Sequence, residues 1–165
     1  GVRLVGSEMC IRDRIKDYVK SLIDQGIIII PNTSKTEKEI DGFLSELGSD
    51  LPYISENGSS IHGLNLINSN FPNKIVLSRD KQELIEIFDS KVPENLKAKC
   101  KFISKMNSKE QTNIFGLKDS YLKNALNRKY TIPFLFEGDK KEKNKLSNVL
   151  RSYSLTTQEL SLIHI

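Results

Sequence analysis

The chain has 165 residues, 38% of them hydrophobic, and a formal charge of +4 from 25 basic and 21 acidic side chains, enough for one domain or two small ones with an ordinary core. The lysines are scattered among carboxylates, with no arginine cluster and no aromatic–basic interleaving, which argues against a nucleic-acid surface. No apolar run reaches the roughly 20 residues that span a bilayer, so a membrane span is not expected.

The ends read differently from the rest. Val5–Arg14 and Leu160–Ile165 resemble translated sequencing-adapter sequence, so residues 1–14 and 160–165 are expected to be non-native and carry no weight in the fold reading. From Ile15 onward, Ile15, Val19, Leu22 and Ile23 recur at helical spacing, and Gly26 stands where a helix C-terminal cap belongs. Ile27–Ile30 follow, four β-branched residues without alternation. That pattern predicts a parallel strand buried on both faces, stopped at Pro31-Asn32.

Thr33-Ser34-Lys35-Thr36 comes next. Ser34 with Glu37, and Thr36 with Glu39, fit capping boxes. Ile40, Phe43, Leu44 and Leu47 mark one helix face ending at Gly48. Leu51–Ser55 reads as a strand, Glu56-Asn57-Gly58 as a turn, and Ser59–His62 as its returning partner. His62 reads as a plain strand residue. Residues 15–62 thus read as an α/β unit, with polar turns at the strand ends where ligands of open α/β sheets bind.

The polar stretch Asn65–Asn73 places a domain boundary near residue 67. Beyond it, a strand is expected over Lys74–Ser78 and a helix through Leu84, Ile85 and Phe88. A strand is expected at Phe102-Ile103, helices over Ser108–Phe115 and Leu117–Leu126, and a strand over Ile132–Phe136. The run Lys140–Lys145 reads as a solvated helix face. The second half, residues 68–159, is a small α+β domain.

Cys10 and Cys100 are far apart and lack CxxC spacing, so no zinc site or disulfide framework follows, and a reducing cytoplasm is the default compartment. With only His62 and His164, chemistry falls to carboxylates, hydroxyls and lysines. The suggestive feature is the helix start at Thr33. Unpartnered N–H groups and the helix dipole favour phosphate there. Thr33 and Ser34 add hydroxyls, and Lys35 adds a full charge. The same residues also read simply as good helix caps.

Three segments carry a family resemblance: Ile27–Ile40 with its Thr-Ser-Lys-Thr, Leu51–Gly58 with Glu-Asn-Gly, and Ala125–Pro133 following Gly116-Leu117. Together they resemble mannosyl-3-phosphoglycerate phosphatases of the haloacid dehalogenase superfamily, over nearly all of residues 15–157. The resemblance implies a partial Rossmann-like core (15–67) with an inserted type IIB α+β cap (68–159). It implies phosphomonoester hydrolysis through an aspartyl-phosphate, with Mg²⁺ as cofactor in the full-length enzyme, and a small phosphorylated sugar acid as substrate.

By the same resemblance, Thr33 is the catalytic phosphate-binding hydroxyl, and Ser34, Lys35, Thr36, Asn57 and Arg128 contact substrate. Arg128, Tyr130 and Pro133 fit the cap segment. Ile132 stands where the family usually has glutamate, and Thr131 where it usually has serine. The nucleophile motif Asp-x-Asp-Gly-Thr has no counterpart, since no two aspartates here are two residues apart. Gly138-Asp139 matches the downstream metal motif only superficially. The chain itself is therefore expected to be inactive and to hold no metal ligands. The alternatives are a generic sugar-phosphate phosphatase of the same superfamily and a non-catalytic anion-binding α/β module. Nothing in the sequence indicates an oligomeric state.

Overall fold

The structure, a computed structural model, describes residues 5–117 and 119–158. The expected C-terminal tail and residues 1–4 lie outside the described residues. The fold is mixed α/β, and the chain divides into two compact units between Leu77 and Ser78. No helix among the described residues is long and apolar enough to cross a membrane.

The first unit opens with α1 (Val5–Asp24). Its end is a Schellman cap: the Gly26 N–H donates to the Ile23 carbonyl at 2.8 Å and the Ile27 N–H to that of Leu22 at 3.0 Å. Gly26 sits at φ 78°, a conformation that glycine adopts without a Cβ penalty. Lys16 reaches Glu46 of the next helix at 2.6 Å.

The expected buried strand at Ile27–Ile30 does not form. Ile27, Ile28 and Ile30 are exposed, at 47%, 61% and 42%. The physical reason is the neighbourhood. Among the described residues Ile27–Ile30 pair with no strand, and the isolated parallel bridge comes only at Asn32, to Ile54; β-propensity reflects fit to a half-buried sheet surface more than an intrinsic backbone preference. The parallel direction itself is present. The Ile54 N–H donates to the Pro31 carbonyl at 2.8 Å, and the Thr33 N–H to that of Ile54 at 3.1 Å.

Helix α2 (Glu37–Leu47) starts at the Thr36 cap and ends at Gly48 in the left-handed region, burying Ile40 and Leu47. Of the two expected capping boxes, Thr36–Glu39 is the one that caps α2. Strands β1 (Tyr53–Ser55), β2 (Ser60–His62) and β3 (Lys74–Val76) form an antiparallel sheet in that order. Tyr53 faces His62, Ser55 faces Ser60, and His62 faces Lys74. Gly63 follows at φ 71°, and a Cβ there would lie 3.0 Å from the Pro52 Cα, so only glycine lets the chain leave β2 here. Because β3 pairs with β2, Lys74–Val76 belongs to the first unit. The division thus falls ten residues beyond the one expected after residue 67.

The second unit holds α3 (Lys81–Lys91), α4 (Glu94–Lys97), β4 (Cys100–Phe102), α5 (Ser108–Phe115), α6 (Asp119–Leu126), β5 (Phe134–Phe136) and α7 (Lys140–Ser152). It is an α+β arrangement. β4 and β5 pair antiparallel, with Cys100 opposite Phe136 and Phe102 opposite Phe134. These four residues share one face and pack on a core of Phe88, Val92, Leu96, Leu146 and Leu150. Phe102 meets Phe88 and Phe134 edge-on at centroid distances of 4.9 and 6.4 Å, a favoured aromatic geometry. Lys101 on the opposite face pairs with Glu137 at 2.6 Å. Asp80, Asn107 and Asp139 cap α3, α5 and α7, each with a reciprocal glutamate three residues on. Asp139 is thus a helix cap.

Leu146 is 2% exposed at the centre of this core. Leu146→Ala is expected to lower stability by about 2–5 kcal/mol, read from urea unfolding of the second unit. Glu142 accepts from Lys99 and from the Asp139 N–H, which hold its carboxyl below the ordinary carboxylate range. A lowered native pKa contributes stability above the unfolded value, and this is lost as pH falls through the native one. Glu142→Gln should therefore flatten the acid limb of the stability–pH curve below about pH 4.5 while leaving the curve's slope near pH 7 unchanged.

Candidate functional site

Two turns meet at one edge of the first unit's sheet. The segment leading to Thr33 runs parallel to β1, so the turn that follows each lies at the same end. Two backbone bonds join them: the Asn57 N–H donates to the Thr33 carbonyl at 3.1 Å, and the Glu56 N–H to the Lys35 carbonyl at 2.9 Å. The structure therefore brings Thr33, Ser34, Lys35 and Asn57 together.

Their local chemistry differs from residue to residue. The Thr33 hydroxyl accepts from the Lys35 N–H at 3.2 Å, a short Ser/Thr-type turn, and keeps its own proton to donate. The Lys35 ammonium is 55% exposed and lies 3.1 Å from Glu39. Asn57 is exposed at φ 61°, a left-handed conformation that asparagine tolerates better than most residues. Thr36 is fully buried. Its hydroxyl accepts from the Glu39 N–H at 3.2 Å, and the Glu39 carboxylate takes the Thr36 N–H at 2.9 Å. Thr36 thus shapes the turn from beneath. The capping box also uses amides that a bare helix start would offer an anion, and Glu37 and Glu39 offset the dipole there.

Beneath the turns lies a buried polar cluster. Ser55, Glu56, Ser60 and His62 are 1%, 2%, 0% and 7% exposed. Ser55 and Ser60 hydroxyls are 2.7 Å apart, and the His62 Nε2 lies 2.9 Å from Ser60 and 3.4 Å from Ser55. The His62 ring stacks on Tyr53 at 4.5 Å. Burial first, then the Asp41 and Glu37 carboxylates, pushes the Tyr53 hydroxyl far above its ordinary value. Sequence reading missed this cluster and treated His62 as an ordinary strand residue. The available signal was the period of two, which puts Tyr53 and Ser55, and Ser60 and His62, on one face.

Arg128 belongs to the second unit, where it is half-buried and its Nη1 donates to Thr131 at 2.9 Å. A cleft of about 730 Å³ lies between α5 and α6, lined by Lys109, Thr112, Asn113, Asp119, Lys123 and Asn127 among others. Burial pushes the Cys100 thiol up to about 11, so it is protonated at neutral pH and is no nucleophile. Among the described residues no group of three His, Cys, Asp or Glu side chains could hold a metal ion. The described residues thus do not fit Mg²⁺.

The chain belongs to the haloacid dehalogenase-like hydrolase family, whose model matches residues 4–159. Among individual proteins, it is 32% identical over 137 residues to a glucosyl-3-phosphoglycerate/mannosyl-3-phosphoglycerate phosphatase of Persephonella marina, covering 76% of this chain and 49% of that protein. It is also 45% identical over 49 residues to a mannosyl-3-phosphoglycerate phosphatase of Pyrococcus horikoshii, covering 30% of this chain and 20% of that protein. The chain thus spans half the length or less of these curated relatives.

Because Thr36 fixes the turn through its hydroxyl, Thr36→Ala should cost about 1 kcal/mol in urea unfolding of the first unit. Thr36→Ser, which keeps the oxygen, should recover most of that loss.

Proposed function

We propose that this chain carries the phosphate-holding part of a phosphomonoester hydrolase acting on mannosyl-3-phosphoglycerate. The observation that carries the reading is the pair of adjacent turns, Thr33–Thr36 and Glu56–Gly58, joined by two amide bonds at the end of parallel segments. A site of this kind collects a hydroxyl, an ammonium and a carboxamide around one small anion. The names of the two relatives support the substrate class.

In this reading Thr33 donates its hydroxyl proton to an oxygen of the transferring phosphoryl group. Lys35, exposed and tethered to Glu39, supplies positive charge that partly neutralises it. Ser34 and Asn57 orient the phosphate or the substrate's carboxylate from either side. Thr36 holds the turn's shape rather than touching substrate. Arg128, on the cap side, recognises an anion through its planar fork.

The chain holds no aspartate pair to supply nucleophile and acid/base, so it binds without breaking the phosphate ester. The enzyme from which it derives performs the hydrolysis, in a cytoplasmic setting and with Mg²⁺ bound elsewhere. An open reading frame with an Asp-x-Asp-Gly-Thr strand ahead of Ile15 would support that account, and a full-length frame without one would favour a non-catalytic anion-binding module.

The purified chain, incubated with mannosyl-3-phosphoglycerate and Mg²⁺, should release inorganic phosphate no faster than a buffer blank. Release above the blank would overturn the inactivity. Inorganic phosphate should nonetheless shift the amide resonances of Thr33 and Asn57, with Lys35→Met weakening binding by about three- to tenfold.

A further inference from the structure

The buried cluster beneath the turns is not used by the chemistry above, yet its geometry is directional. His62 stands between two elements. Its Nδ1 lies 3.8 Å from Glu37 Oε1, at the first residue of α2. Its Nε2 meets Ser60 and Ser55, which form the last register pair of the β1–β2 hairpin. That pair closes the turn in which Glu56, Asn57 and Gly58 sit at φ 46°, 61° and 90°. Three consecutive left-handed residues persist only where the surroundings over-determine them. The Ser59 hydroxyl, donating to the Glu56 carbonyl at 2.7 Å, fixes the turn from within.

We infer that His62 is a positioning residue, which holds the Glu56–Gly58 turn in register with the Thr33–Thr36 turn by linking Glu37 on α2 to the hairpin serines. The inference rests on the phosphate-turn reading for what the two turns hold, but not for their geometry. With the proton on Nδ1 and facing Glu37, Nε2 accepts from the Ser60 hydroxyl, and Ser60 in turn accepts from Ser55. Both serine hydroxyls of this hydrogen-bond chain then have a partner, as buried polar groups require. Protonation of Nε2 reverses the chain, because Ser60 must turn its proton away. Among the described residues, the charged and titratable groups placed beside the ring are Glu37 from α2, Tyr53 stacked on it from β1, and Lys74, its register partner on β3. Lys74 also reaches Glu37, at 3.3 Å, so it competes with the imidazolium for that carboxylate. Asp41 acts on Tyr53 from the same helix as Glu37.

Amide hydrogen exchange on the intact chain tests this. His62→Phe keeps a ring to stack on Tyr53 and removes both nitrogens. It should speed exchange of the Glu56 and Asn57 amides by about tenfold or more, while Ile40 and Gly48, whose N–H groups bond within α2, are unchanged. His62→Gln, which restores a polar group at Nε2 reach, should recover most of the protection. Unchanged Glu56 and Asn57 amides in His62→Phe would overturn the inference, and so would a uniform loss across the first unit, which marks a merely structural role.

If His62→Phe does not fold, the unmodified chain decides. As pH falls through the His62 titration, the Glu56 and Asn57 resonances should move with the same midpoint as the imidazole, and Gly48 should not. Independent midpoints would overturn the inference. A His164→Gln variant assigns the imidazole signals. Titration with inorganic phosphate reports on the phosphate reading separately, because the exchange result holds with or without binding.

Discussion

The first unit depends on two backbone hydrogen bonds. The Asn57 and Glu56 amides reach across to the Thr33 and Lys35 carbonyls, locking two irregular turns into one surface. One contains three consecutive left-handed residues, and the other carries clustered polar side chains. Each supplies the partners that the other's backbone lacks, which is how buried or half-buried loop backbone is kept satisfied.

This constraint explains what lies beneath. The inward face of β1 and β2 carries Tyr53, Ser55, Ser60 and His62, while Ile54 and Ile61 occupy the other face. A three-stranded sheet with serines inward gains little from apolar burial. It gains shape instead, since a hydroxyl–imidazole network fixes distances that interchangeable aliphatic contacts would leave adjustable. Apolar stabilisation comes from Ile40, Leu47, Leu51 and the Tyr53 ring. The second unit shows the opposite design. Its two-stranded sheet turns Phe102 and Phe134 onto Phe88, Leu146 and Leu150, and its polar groups serve mainly as helix caps at the surface.

Much of this was legible in the sequence because it is local. Gly26 and Gly48 end helices where the left-handed cap is needed, Thr36 with Glu39 begins one, and Asn57-Gly58 makes the hairpin turn. Each follows from backbone conformation within a few residues. The failures are non-local. Four isoleucines in a row carry the composition of a buried strand, but burial depends on what lies beside them, and among the described residues none of the four is bridged to a strand, the nearest bridge being Asn32 to Ile54. The compact units divide between Leu77 and Ser78 because β3 pairs with β2, and a pairing partner is not encoded in a strand's own pattern.

The sequence by itself determined the family, the hydroxyl-and-lysine character of the Thr33 turn, and the lack of an aspartate pair in this chain. These are statements about residue types at fixed spacing, which the chain carries whatever its fold. Only the tertiary structure decided that the Asn57 turn sits against the Thr33 turn, that Thr36 is fully buried, and that His62 is buried between Glu37 and two serines. Those facts depend on parallel register between Asn32 and Ile54 and on α2 lying against the hairpin, contacts between residues some 20 or more positions apart. A local motif can name the groups a site contains, but the hydrogen bonds between distant segments decide which of them face outward together.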